Sequence, residues 1–287
     1  MDGKIISSQR NVYVVYCDGV TYNVFPRGVL RFKNEHLDVG DNVTLDDESS
    51  RIINVSPRSN ELIRPKCSNI DQILVTMSVA EPELSPELLY KFLTYINMHS
   101  IKAIVVLTKT DLIDNLTKVN LLAKDLEKLG VKVFMLSKNK LDTIQEIKTI
   151  LKEKTSIFMG QTGVGKSSLI NILDPSFDRK IGEYSQALGR GKHQTKEVIL
   201  LPYEGGFIGD TPGFSSLDLG VYKEDIAQFF PGYNEIYTEC FFSNCLHQNE
   251  KGCKIKQEIE TGHLSKEGYE IYLKLLNELP YKKERFN

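Results

Sequence analysis

The sequence predicts a multidomain α/β chain: a small N-terminal β-barrel, a doubly wound, mostly parallel sheet, and a short α-helical end built around a metal. Three observations predict it. Residues 160–167 read G-Q-T-G-V-G-K-S, a phosphate-binding loop, set between an apolar run and a helical pattern. Short β-rich runs with turn residues between them fill the first 66 positions, then give way to alternating strand and helix patterns. Three cysteines and a histidine fall within fourteen residues near the end. The expected domains are residues 1–66, 67–220 and 221–287.

Composition narrows the class. The 287 residues are 41% apolar and 26% charged, as in a globular protein of two or three domains. No stretch approaches the ~18 consecutive apolar residues of a membrane helix. The start, MDGKIISSQR, lacks the apolar centre of a signal peptide. A cytoplasmic chain without a membrane partner is expected, its cysteines reduced, so a cysteine cluster points to metal rather than disulfides. The formal net charge of −2 excludes a globally basic nucleic-acid binder but is compatible with a local basic face. With no heptad repeat and no spare apolar face, the chain is expected to be a monomer.

In the first domain, residues 11–16, 21–25, 42–45 and 51–55 read as strands, with turn signals at Asp18-Gly19, Gly40-Asp41 and Asp46-Asp47. About five short strands in this length suggest an OB-fold barrel. Tyr13, Tyr16, Tyr22, Phe25, Arg27, Arg31, Phe32 and Lys33 could stack on bases and meet phosphates, about half of the aromatics being core. Protein docking is the other use of such a barrel, and both stay open.

Residues 57–67, with two prolines and no periodicity, read as a linker. Beyond them, 73–77 and 103–107 are apolar runs typical of buried parallel strands. Between them, Ser85-Pro86-Glu87 has the order of a helix start. A helix near 117–130 ends at Gly130, a strand covers 131–135, and a helix covers 141–153. The strand 157–159 leads into the phosphate loop.

That loop explains its own composition. Gly160, Gln161, Thr162, Gly163, Val164 and Gly165 let backbone N–H groups and a helix N-terminus surround phosphate oxygens. Lys166 reaches the β- and γ-phosphates, Ser167 ligates magnesium, and Ser168 joins the nucleotide-binding set. Thr108, Lys109 and Asp111 form a T-K-x-D element directly after a strand. The Asp111 carboxylate suits the two donors on the guanine edge, and the Lys109 stem packs along the base. Ser137 and Lys138 follow the next strand and resemble the S-A-K element of GTPases, with Lys138 in place of the alanine, which implies a backbone N–H contact to guanine O6. Asp210-Thr211-Pro212-Gly213 is a D-x-x-G element. Asp210 holds magnesium and Gly213 senses the γ-phosphate, while Thr195 is the candidate switch ligand to magnesium. The guanine element precedes the phosphate loop, the reverse of the usual GTPase order, so the domain is circularly permuted. A parallel sheet tolerates this because its loops meet at one edge.

Near the end, Cys240, Cys245, His247 and Cys253 follow the spacing C-x₄-C-x-H-x₅-C. Such a set closes a tetrahedron around zinc, so the site reads as structural and its helical surroundings as dependent on it. Cys17 and Cys67 read as core residues. His36, His99 and His263 read as ordinary surface or core residues.

Together these features resemble the RsgA/YjeQ family, GTPases dependent on the small ribosomal subunit. The resemblance extends to Leu62, Arg64, Pro65, Asn69, Asp71 and Gln72. It implies hydrolysis of GTP during late maturation of that subunit: the GTP form binds it and its RNA, the subunit stimulates hydrolysis, and the GDP form leaves. Phe214 stands where many GTPases carry the glutamine that orients water. His193 resembles the family's proposed catalytic histidine, with contact to ribosomal RNA as the alternative. Arg190 and Lys192 suit phosphates of nucleotide or RNA. Gln194 and Lys196 flank Thr195, which leaves open which hydroxyl meets the metal. A P-loop phosphotransferase, an ATPase and an RNA-binding module without ribosome-triggered turnover are the competing classes. The T-K-x-D and D-x-x-G elements, with Lys166, Ser167 and Asp210, argue against them.

Overall fold

The computed structural model describes residues 1–9, 12–26, 36–46, 51–137, 141–180, 198–211, 213 and 217–282. Arg27, Arg31, Phe32, Lys33, Lys138, the stretch 189–196 with His193 and Thr195, and Phe214 lie outside those residues.

Alternating apolar positions in the first domain build β1 (Asp2–Gln9), β2 (Val12–Cys17), β3 (Val20–Pro26), β4 (Asn42–Leu45) and β5 (Arg51–Val55). They close into a barrel in the order β1-β2-β3-β5-β4. The neighbours are antiparallel except β3 and β5, which run parallel with Phe25 opposite Arg51. Its core is Ile5, Val15, Cys17, Val24, Val43, Leu45 and Ile52, with Tyr13 and Tyr22 packed against it. Phe25 is more than half exposed, at 54%.

The expected linker is instead an ordered hairpin of β6 (Glu61–Ile63) and β7 (Lys66–Ser68). Leu62 and Cys67 are buried in it. The reason is long-range. Arg58 donates to fully buried Asp41 from Nε at 2.7 Å and Nη2 at 2.9 Å, and to Glu61 at 2.6 Å. The Ser68 hydroxyl donates to Asp41 Oδ1 at 2.6 Å. A buried carboxylate paired this way fixes the segment that carries its partners.

The second sheet has the order β10-β9-β8-β11-β13-β12. Its strands are β8 (Gln72–Ser78), β9 (Lys102–Thr108), β10 (Lys132–Met135), β11 (Thr155–Met159), β12 (Ile199–Tyr203) and β13 (Gly206–Asp210). β9–β10, β8–β11 and β11–β13 are parallel pairs, and β12 is the antiparallel edge. Every residue of β8 and β11 is buried, as apolar runs in a parallel sheet require. Pro202, which cannot donate a ladder bond, lies on the edge strand. The helices of this region are α1 (Pro86–Met98), α2 (Thr117–Lys128), α3 (Leu141–Leu151) and α4 (Lys166–Leu173). Ser85 caps α1, its hydroxyl accepting from the Leu88 N–H at 3.2 Å.

The chain forms two compact units, Met1–Thr76 with Asn139–Phe214, and Met77–Lys138 with Ser215–Asn287. In the first, Tyr16 meets the ring of Phe207 edge-on at 5.6 Å, and Lys4 Nζ lies 5.8 Å from the same ring. In the second, α5 (Lys254–Glu260) and α6 (Lys266–Glu278) complete the fold. Tyr90, Phe230, Tyr233 and Tyr272 pack ring on ring in its core, and Lys91 pairs with Glu278 at 2.6 Å. Among the described residues, no helix is long and apolar enough to cross a membrane.

Candidate functional site

In the first unit, β11 delivers the chain into the phosphate loop at Gly160. A side chain there would collide with β8, because a β-carbon would meet the Thr76 carbonyl oxygen at 2.1 Å. Only glycine lets the loop leave the sheet so closely. Val164 is fully buried and anchors the loop from inside. Lys166, at the start of α4, bends back, its ammonium donating to the carbonyls of Gly160 at 2.9 Å and Gln161 at 2.8 Å. Burial lowers its pKa below the ordinary lysine range, against the attraction of Asp210.

β13 ends on Asp210, beside the loop. Its Oδ2 accepts from the Ser167 hydroxyl at 3.0 Å, while Oδ1 is buried without a hydrogen-bond partner. Burial raises this carboxyl above the usual range, opposed by the Ser167 bond and the Lys166 charge. A carboxylate and a hydroxyl, with one carboxylate oxygen unsatisfied, are the hard oxygen donors that magnesium takes alongside phosphate. The residues therefore fit that ion. Thr211 ties the turn to β11, its hydroxyl donating to the Phe158 carbonyl at 2.8 Å. Gly213 then passes against Thr162 of the phosphate loop.

In the second unit, β9 ends on Thr108. The Thr108 hydroxyl is buried and donates to the Met77 carbonyl at 3.3 Å, a fastening between strand ends. Lys109 follows with left-handed φ of 59°, its ammonium bonded to the Glu81 carbonyl. That turn presents Asp111 on a short 3₁₀ helix, Thr110–Leu112, at the surface. The Thr110 N–H donates to the Leu136 carbonyl at 3.2 Å, next to half-buried Ser137.

The same unit holds the knuckle. One donor atom from each of Cys240, Cys245, His247 and Cys253 lies within 4.8 Å of all the others. His247 Nδ1 is 3.4 Å from Cys240 Sγ and 3.5 Å from Cys253 Sγ. Sulfur and nitrogen ligands on one tetrahedral ion are about 3.6 Å apart, so the donor set fits a metal. The Lys254 N–H donates to Cys240 Sγ at 3.3 Å. Burial lowers the His247 pKa to about 4, so its imidazole is neutral and available as a ligand at neutral pH. Burial pushes the Cys245 thiol up to about 12 and also raises Cys253.

Several contributors escaped the sequence reading. Glu250 accepts from the N–H groups of Leu246 and Gln248, and the Tyr269 hydroxyl donates to the His247 carbonyl. Glu250 is the one acidic residue between the first and last ligands, a signal available in the sequence. The roles of Thr211 and of the Glu81 carbonyl leave no such mark.

Comparison with known proteins identifies the family. The RsgA GTPase family model matches residues 55–220. A small ribosomal subunit biogenesis GTPase RsgA 2 of Oceanobacillus iheyensis is 38% identical over 291 residues, covering 99% of each chain. The corresponding RsgA of Bacillus cytotoxicus is 37% identical, again covering 99% of each. Solved YjeQ from Thermotoga maritima superposes with a TM-score of 0.82 at 31% identity, over 97% of this chain and 98% of that one. YloQ, a circularly permuted GTPase, gives 0.80 at 32% identity, over 96% and 94%. The family model spans more than half of the chain and these relatives match it over nearly its whole length, so the chain belongs to the RsgA GTPase family.

Proposed function

We propose that this chain binds the small ribosomal subunit and its RNA in the GTP state, hydrolyses GTP when the assembling subunit stimulates it, and leaves in the GDP state. The observation that carries the reading is the Lys166, Ser167 and Asp210 arrangement, in a chain alignable end to end with small-subunit biogenesis GTPases.

The reaction is attack of water on the γ-phosphorus with cleavage of the bond to the β-phosphate oxygen, giving GDP and phosphate. In this reading, Gly160, Gln161, Thr162, Gly163, Val164, Gly165 and Ser168 line the phosphates. Lys166 leaves the carbonyls of Gly160 and Gln161 to meet the β- and γ-oxygens. Asp111 accepts from the guanine edge, Lys109 packs along the base, and Thr108, Ser137 and Lys138 frame it. Ser167, Asp210 and Thr195 hold magnesium, which offsets the negative charge on the phosphates. Gly213 follows the γ-phosphate, and His193 orients the water. Cys240, Cys245, His247 and Cys253 hold one structural zinc ion, the metal that takes three thiolates and an imidazole in a closed set. The protein works as a cytoplasmic monomer.

Co-sedimentation with purified small subunits tests the binding half of the cycle. Retention with a non-hydrolysable GTP analogue and release with GDP is expected. Equal retention with both nucleotides, or none with either, would contradict it.

A further inference from the structure

We propose that Glu250 is a positioning residue for the knuckle metal, holding His247 in ligand geometry through the backbone on both sides of it. The inference rests on reading Cys240, Cys245, His247 and Cys253 as a zinc site.

Glu250 Oε1 accepts from the Leu246 N–H at 2.8 Å, and Oε2 accepts from the Gln248 N–H at 2.8 Å. These two donors flank the histidine. Between them His247 takes φ of 59°, a left-handed backbone that a β-carbon disfavours. The Tyr269 hydroxyl donates to the His247 carbonyl at 2.8 Å, and the Tyr272 hydroxyl to the Leu246 carbonyl at 3.2 Å. The peptide groups on either side of the ligand are therefore held by Glu250, Tyr269 and Tyr272.

Metal-bound histidines usually owe their orientation to a partner on the other ring nitrogen. Here that nitrogen, Nε2, is buried with no hydrogen-bond partner. The ring instead packs against the paired rings of Tyr233 and Tyr272, its centroid 6.1 and 5.9 Å from theirs. The orientation that places Nδ1 beside two thiol sulfurs is thus imposed through the main chain. Glu250 contributes no donor atom to the converging set, and its two oxygens serve backbone N–H groups instead.

This predicts an unusual sensitivity to a near-isosteric change. Both carboxylate oxygens accept, so glutamine at this position would turn an NH₂ toward one of the two N–H donors. One hydrogen bond would be lost and two donors would face each other.

The test uses the full chain loaded with Zn²⁺ and titrated against a chromogenic zinc chelator, with thermal melts recorded with and without zinc. Glu250→Gln is expected to weaken zinc binding about 10- to 100-fold. It should also shrink the rise in melting temperature that zinc produces, leaving the metal-free melt close to the parent's. Tyr269→Phe should weaken binding by a smaller factor. Unchanged zinc affinity in Glu250→Gln, or an equal loss of melting temperature with and without zinc, would overturn the proposal. Should Glu250→Gln fail to fold, Tyr269→Phe decides, and parental affinity there would overturn it. A parent chain that binds no zinc would instead defeat the zinc reading itself.

Discussion

Gly213 and Thr162 are in contact that no side chain on the glycine would survive. A β-carbon built on Gly213 would meet Thr162 Oγ1 at 2.2 Å and Thr162 N at 2.6 Å. The turn that carries Asp210 is therefore seated directly on Thr162, in the loop between β11 and α4.

Gly213→Ala follows directly from this contact. The added methyl group meets a backbone nitrogen as well as a movable hydroxyl, so the turn itself must shift. GDP affinity is expected to stay near the parent's, while GTP turnover falls by about tenfold or more. Steady-state hydrolysis and fluorescent-GDP titration measure the two. Parental turnover would show that Gly213 does not approach the γ-phosphate.

Asp111→Asn tests base selection. Guanine offers N1–H and an amino group, two donors for one carboxylate. Xanthine replaces the amino group by a carbonyl, which an amide NH₂ can meet. The variant should lose about 100-fold in kcat/KM for GTP, the scale of a mismatched buried polar contact, and gain with XTP. Unaltered preference would remove Asp111 from base recognition.

Zinc binding should weaken steeply as pH falls. Burial pushes Cys245 up to about 12 and raises Cys253, so both thiols are protonated at neutral pH before metal arrives. His247, lowered to about 4, is already neutral at this pH and releases no proton when it takes up metal. The bound state therefore carries at least two fewer protons than the free state, and lower pH favours the free state. The zinc dissociation constant should rise about 100-fold per unit fall in pH near neutrality. Chelator competition at three pH values checks the slope, and a flat profile would contradict it.

Much of this arrangement was legible in the sequence because glycines, charged residues and cysteines at fixed spacing have few other uses. The glycine-rich loop at 160–167, the D-x-x-G turn and the knuckle were read from such patterns, and the barrel and alternating sheet from apolar runs between turn and helix signals. What escaped has physical causes. β1 breaks the period of two: its register shifts between Ile5 and Ser7, and Ile5, Ile6 and Ser7 are all buried. β12 is a short edge strand ending in a proline and a tyrosine, where no alternation develops. The hairpin β6–β7 looked like a linker because its anchor, Asp41, is 17 residues from Arg58 and 27 from Ser68. Nor does local composition mark a compact unit assembled from two separated stretches.

The same anchor gives a stability prediction. Asp41 is fully buried, and removing Arg58 leaves its charge without the guanidinium that compensates it. Arg58→Ala should destabilise the fold by about 3–5 kcal/mol. Urea denaturation followed by circular dichroism measures it, and a loss under about 1 kcal/mol would place the pair with ordinary surface bridges.

The central claim is a hydrolysis triggered by one ribosomal subunit, and GTP turnover by the purified chain tests it most directly. Turnover is measured for the chain alone, with isolated small subunits and with isolated large subunits. Slow turnover alone, strong stimulation by the small subunit and none by the large is the predicted result. Equal rates in all three would contradict the account.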